Sequence, residues 1–205
     1  MKITIGIDPS LNSTGVCVNC DGKCKYYIIS SKMTKKMKEF HSDFITYLPY
    51  DKADTNKKEN DYIVVERNKT NNIYNICVRI REIVQQYPEA EVFMEGISYG
   101  SVGSAALADL SGLNFALRII LHELGNTFYI VSPNQNKKFA TGNGAADKDQ
   151  MVFSWLTIEK HLKQITDIKI DDLADAYFLS NYYQAQKNGL KSSYNSFIIN
   201  ANLIT

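Results

Sequence analysis

Ile3, Ile5 and Ile7 occupy every second position of Lys2 to Ile7, the period of a strand with one buried face, and the run stops at Asp8-Pro9. Pro9, Ser10, Asn12 and Ser13 make a turn, and a hairpin is predicted from Thr14 to about Ile29. Its bend falls at Cys20-Asp21-Gly22, where Asp-Gly supplies the positive backbone angles of a tight turn. From Ser31 to about Lys69 the pattern dissolves into lysine-rich, polar sequence, least structured between Asp51 and Asp61. Within it Phe40, Phe44, Ile45 and Leu48 fall at helical spacing and predict one short amphipathic element ended by Pro49. Too few apolar residues lie here to bury a core, so the stretch reads as an insertion on a core fold.

After the insertion the alternation of elements is regular. Ile73, Ile76, Cys77, Ile80, Ile83 and Val84 predict a helix over Asn72 to Gln86, ended by Pro88. Glu91 to Glu95 is a short strand, and a glycine-rich loop, Gly96 to Gly103, leads into a long helix from about Ser104 to Leu124, stopped by Gly125. Thr127 to Val131 is a strand, and Ser132-Pro133 caps a short helix. A loop at Gly142 to Ala146 and helices over Asp147 to about Lys163 and Asp172 to about Lys187 complete the core. A three-strand meander followed by alternating helices and strands predicts an α/β fold: a mixed five-stranded sheet flanked by helices. It forms a single domain over 1–187, with the insertion at about 31–69 and a C-terminal extension at 188–205.

Composition narrows the class. With 44% hydrophobic residues the 205-residue chain can bury a core, which excludes disorder, and 11 Gly with 4 Pro exclude a collagen-like chain. Twenty-three Lys and Arg against 22 Asp and Glu leave a net charge of +1, at face value an argument against a protein that coats nucleic acid by bulk electrostatics. The most apolar helical stretch, around Leu113 to Leu124, is broken by Asn114, Arg118 and His122-Glu123, too polar for a membrane span. Met1 and Lys2 run straight into the first strand, so a soluble, cytoplasmic protein is expected. Cys17, Cys20 and Cys24 are spaced C-x2-C-x3-C, with Cys77 as a potential fourth zinc ligand. The Asp-Gly turn between them favours reduced, structural cysteines on a hairpin instead.

The candidate chemistry is carried by carboxylates. Asp8 ends the first strand, where open α/β sheets place ligands, although turn formation alone accounts for many such aspartates. Glu95 ends an apolar strand in V-F-M-E-G, a setting that penalises an unpaired charge. Asp172 and Asp175 are one turn apart on one face of the last helix, where capping and dipole complementarity, with Asp171 joining in, are the plainer account. Four converging carboxylates would repel unless cations neutralised them, and Mg2+ prefers carboxylate, phosphate and water oxygens. Such a pocket suits phosphoryl transfer or phosphodiester hydrolysis.

Four runs occur in one order: I-G-I-D-P-S-L-N-S-T-G (Ile5 to Gly15), V-F-M-E (Val92 to Glu95), T-G-N-G-A-A-D-K-D-Q (Thr141 to Gln150) and D-L-A-D-A (Asp172 to Ala176). In these the chain resembles the RuvC-type Holliday-junction resolvases of the RNase H-like nuclease superfamily, from Met1 to about Lys187 outside the insertion. The resemblance implies an RNase H-like fold in which Asp8, Glu95, Asp172 and Asp175 are catalytic metal ligands, with Asp171 as second choice. It implies Lys148 near the scissile phosphate, Lys137 as a second DNA-binding lysine, and Tyr99 as a candidate base-stacking residue. Asp147 and Asp149 flank Lys148, a departure that weakens its reach, and Tyr99 is one position out of register.

The activity so implied is Mg2+-dependent resolution of four-way (Holliday) junctions by paired symmetric nicks with 5′-phosphate ends, in DNA recombination and repair. Two Mg2+ per site are implied, with Mn2+ as a substitute. Small residues at Ala105, Ala106, Ala108, Ser111, Gly112 and Ala116 leave the long helix a second face for a homodimer, as in the resolvases it resembles. Other branched-DNA, terminase-type or RNA:DNA-hybrid nucleases, and a non-catalytic junction-binding module, are the alternatives. The opening G-I-D-P-S-L-N-S-T-G also looks like the phosphate loop of sugar-kinase or actin-like ATPases, whose two large lobes need more than 205 residues. The Asn- and Lys-rich composition suits an AT-rich genome such as a bacteriophage's, which would place the protein in the host cytoplasm. Setting the four carboxylates aside leaves 23 basic against 18 acidic residues, so DNA would meet a basic surface around a metal-filled acidic pocket.

Overall fold

The computed structural model describes residues 2–32, 44–56, 58, 60–97, 104–162 and 171–187. Strands β1 (Ile3–Asp8), β2 (Ser13–Cys20) and β3 (Lys23–Ser30) form the meander. Asp21 (φ 49°) and Gly22 (φ 88°) both turn the β2–β3 hairpin in left-handed conformations, as an Asp-Gly bend requires. Strands β4 (Ile45–Pro49), β5 (Glu91–Glu95) and β6 (Phe128–Val131) complete a six-stranded sheet of order β4-β3-β2-β1-β5-β6. β4 runs parallel to β3, and β5 and β6 run parallel to β1, so Asp8, Ser30, Pro49, Glu95 and Val131 all end at one edge of the sheet.

The sheet therefore has six strands, not five, and the extra strand lies where Phe44 to Pro49 predicted a helical element. Ile45 and Tyr47 pack on one face of the sheet and Leu48 on the other. A strand covered on both sides is apolar at successive positions, and over so few residues that pattern mimics helical spacing. Pro49 closes a strand at the edge of the sheet, where its missing donor costs little. Phe40 lies outside the described residues.

Helix α1 (Tyr62–Val84) starts ten residues earlier than the hydrophobic repeat indicates, capped by Asp61, which accepts from the Val64 amide at 2.9 Å. Its first turns are tied by polar contacts that leave no hydrophobic period. Asn72 exchanges hydrogen bonds with Ala53, Asn68 donates to the Asp54 carbonyl, and Lys69 pairs with Glu66 and Asp109. α1 and α2 (Ser104–Glu123) cover one face of the sheet, burying Ile76, Ile80, Leu113, Leu117 and Leu121 against Ile5, Ile7 and Met94. The other face carries α3 (Pro133–Thr141), α4 (Lys148–Ile158), a short 3-10 turn (Lys160–Leu162) and α5 (Asp171–Lys187). Ser132 and Asp147 begin α3 and α4 with reciprocal capping boxes to Gln135 and Gln150.

The cysteines divide between these layers. Cys17 and Cys24 join the cluster under α4 and α5, whereas Cys20 and Cys77 join the one under α1 and α2, so the four thiols do not meet. No helix among the described residues is long and apolar enough to cross a membrane.

Candidate active site

The alternation of β1 decides where the first carboxylate points. Ile5 and Ile7 enter the core beneath α1 and α2, which leaves Gly6 and Asp8 on the opposite face, toward α5. α5 lies so close that a Cβ on Gly6 would sit 1.9 Å from the Ala176 carbonyl oxygen, and one on Gly15 would sit 2.1 Å from that of Asp172. Gly15 pairs with Asp8 across the β1–β2 ladder, so the contact of Asp172 with Gly15 brings the start of α5 down beside Asp8. Glu95 ends β5, whose Met94 pairs with Ile7, so the two strand-end carboxylates are neighbours at the same edge.

The side chains converge accordingly. Asp8 and Glu95 share a hydrogen bond, and the charges of Glu95, Asp175 and Asp172 all act on Asp8. Burial first, then those three charges, raises Asp8 well above the ordinary carboxylate range. Burial also raises Glu95, opposed by the Asp8 hydrogen bond and by the Lys137 ammonium. Asp175 is pushed up to about 7 by burial and by Glu95 and Asp172, against the pull of Lys137. Two ionised carboxylates cannot share a hydrogen bond, so the Asp8–Glu95 contact is a hydrogen bond when one of the two holds a proton.

The lysines take different places. Lys137, on α3, acts on Glu95 and Asp175 and so faces the cluster. Lys148, the first residue of α4, reaches Asp171 at 2.5 Å while most of its side chain stays exposed. Asp171 thus neutralises a lysine at the rim, and the charges of Asp172 and Asp175 also act on that lysine. Tyr99 lies outside the described residues. Four residues not assigned to the site from sequence also shape it. Gly6 and Gly15 set the approach of α5, and Asn114 and Asn136 donate to the backbone carbonyls of Glu95 and Asp175. The one available signal for them was the pair of glycines flanking Asp8 inside I-G-I-D-P-S-L-N-S-T-G.

An all-oxygen donor set suits a hard dication, and the mutual repulsion raising Asp8 and Asp175 is what a bound dication would relieve. Among the described residues no three His, Cys, Asp or Glu side chains stand in a ready-made coordination arrangement. Mg2+ does not require one, because it takes one or two protein carboxylates and completes its shell with water and substrate phosphate. The donor chemistry of these residues therefore suits such a cation.

A pH dependence follows from the raised carboxyl groups. Between the ordinary aspartate value near 3.8 and the value of about 7 for Asp175, the folded protein holds protons that the unfolded chain has released. Stability of the metal-free protein must then fall as pH rises through this window. Thermal melts are expected to give a midpoint several degrees higher at about pH 5 than at about pH 8, with added Mg2+ raising the pH 8 midpoint more than the other. The reverse order would show that the cluster is not the strained element described here.

An α/β sheet with acidic strand ends at one edge and an acidic helix laid across them defines the class of architecture. Among solved structures the chain is similar to Thermus thermophilus RuvC, with a TM-score of 0.54, 18% identity, and coverage of 92% of this chain and 97% of that one. It is also similar to T. thermophilus RuvC in complex with Holliday junction substrate, with a TM-score of 0.59, 15% identity, and coverage of 93% and 98%. The yeast mitochondrial Holliday junction resolvase Ydc2 aligns with a TM-score of 0.50 and 14% identity, over 96% of this chain and 82% of that one. The chain thus has the RuvC-type fold. No protein-family profile and no curated protein sequence matches it.

Proposed function

We propose that this protein is a Mg2+-dependent endonuclease that resolves four-way DNA junctions by paired, symmetric nicks with 5′-phosphate ends. The observation that carries the reading is the convergence of Asp8, Glu95, Asp172 and Asp175 at one sheet edge of a RuvC-type fold. These four carboxylates would hold two Mg2+ ions, with Mn2+ as a substitute. Bound there, the cations would supply water activation and charge stabilisation at the leaving oxygen. Lys137 holds Glu95 and Asp175 toward their ionised forms. Lys148, exposed and paired with Asp171, would exchange that partner for a phosphate of the incoming strand. Tyr99 would stack on a base at the junction. The test is a cleavage assay with Mg2+ comparing a mobile four-way junction, a three-way junction, a flap and linear duplex. Preference for the four-way substrate supports the reading, and equal cutting of linear duplex would remove it.

A second copy would dock on α2. Phe115 and Ile119 are 54% and 59% exposed on the helix face turned away from the sheet, and two matching incisions in a pseudo-two-fold junction call for two matching sites. Sedimentation of the wild type should give twice the monomer mass at micromolar concentration, and Phe115→Asp should give the monomer. A wild type that remains monomeric with junction DNA present would contradict this assembly.

A further inference from the structure

Two of the four carboxylates hang from backbone that is tied by buried asparagines. Asn114 of α2 is 2% exposed and donates Nδ2 to the carbonyl oxygen of Glu95 at 2.9 Å. Asn136 of α3 is wholly buried and donates Nδ2 to the carbonyl oxygen of Asp175 at 3.2 Å. A buried primary amide is costly unless its groups are bonded, and an apolar side chain of similar size would fill either place without that cost. From different helices, each amide reaches the backbone of a residue whose side chain enters the acidic cluster.

The surroundings fix which end of the Asn114 amide faces the carbonyl. Arg118 donates Nε to Asn114 Oδ1 at 2.9 Å, and its guanidinium lies 4.5 Å from the Phe115 ring centroid, so Asn114 must present its nitrogen to Glu95. Glu95 is the last residue of β5, and Asn114 occupies its carbonyl at the end of the strand. Asn136 Oδ1 makes no hydrogen bond among the described residues, so the bond to Asp175 is what its amide secures. Its chain neighbour is Lys137, whose ammonium acts on Glu95 and Asp175. The Asn136 bond therefore also sets α3 against α5 at the point where that lysine meets the carboxylates.

We propose that Asn114 and Asn136 are positioning residues that hold Glu95 and Asp175 in place for cation binding, an inference that rests on the metal-dependent reading of this site. Neither touches the cation. They act through the backbone of the residues that would, as groups behind metal ligands do elsewhere, where their loss costs about 10- to 100-fold in metal affinity. The test is calorimetric titration of the full-length protein with Mn2+, comparing the wild type, Asn114→Asp, Asn136→Asp and Asp8→Asn. The Asn→Asp changes keep volume and, at 114, the Arg118 bond, but turn an acceptor toward the carbonyl. They also add negative charge near the site, which by Coulomb attraction alone would tighten cation binding. About tenfold weaker binding in both Asp variants is expected, and equal or tighter binding overturns the inference. A wild type that binds no Mn2+, or binds it unchanged after Asp8→Asn, overturns the metal reading and the inference with it. Should an Asp variant fail to fold, Asn114→Ser and Asn136→Ser, too short to reach the carbonyls, carry the same expectation and the same overturning result.

Discussion

Asp8→Asn is expected to lower junction cleavage at least roughly a thousandfold, about 4 kcal/mol of barrier, while leaving four-way junction binding in place and raising the melting temperature of the metal-free protein. The three effects have one cause. Asp8 is a strained member of the cluster, raised by burial and by three neighbouring carboxylates. An amide of the same shape removes that repulsion and can donate to Glu95, so the fold gains what the site loses. The unbound cluster is costly to hold together, a cost that the proposed service to a cation would account for. A purely structural Asp8 would behave in the opposite way, because removing a satisfied turn or capping group destabilises. Wild-type cleavage by the variant, or a lowered melting temperature, would remove Asp8 from the site.

The second large effect is steric and reaches the site through the fold. Gly6→Ala and Gly15→Ala are each expected to destabilise by about 1–3 kcal/mol or more, because the added Cβ would lie 1.9 Å and 2.1 Å from backbone oxygens of α5. Helix backbone cannot give locally, so α5 must move as a unit. Gly15→Ala lifts the Asp172 end, and cleavage should fall further than lost stability accounts for. Gly112→Ala is the control: its nearest neighbour would be Ile73 Cδ1 at 3.5 Å, an ordinary contact, so stability should stay level or rise. Thermal melts of the three variants check this. Unchanged melting of Gly6→Ala would mean that α5 does not pack on β1 as described.

How far the sequence discloses this molecule differs by element. β1, the hairpin and the α5 carboxylates are legible because period, turn chemistry and i, i+3 spacing are local properties. The meeting of Asp8 with Glu95 was only implied, by motif order, since neighbouring positions on parallel strands 87 residues apart leave no local trace. β4 is illegible as a strand because packing on both faces removes its alternation. The early start of α1 was hidden because Asn68, Asn72 and Lys69 anchor it through polar contacts. The clamps at Asn114 and Asn136 were illegible for the same reason: side chain to backbone bonds across 19 and 39 residues have no sequence period. Asp171, expected as a second-choice ligand or a helix cap, lies at the start of α5 and pairs with Lys148, a contact across 23 residues that no local pattern announces.

The central claim is that a carboxylate cluster on a RuvC-type fold makes paired cuts in four-way junctions. The most direct measurement is digestion of a supercoiled plasmid that extrudes a cruciform, with Mg2+ and the wild-type protein, followed by separation of nicked circles from linear molecules. Two symmetric incisions within one binding event give linear DNA with ligatable 5′-phosphate ends at the cruciform, and that product is expected to depend on the cation and to vanish with Asp8→Asn. Nicked circles alone, or linear product independent of the cruciform or of Asp8, would contradict the account.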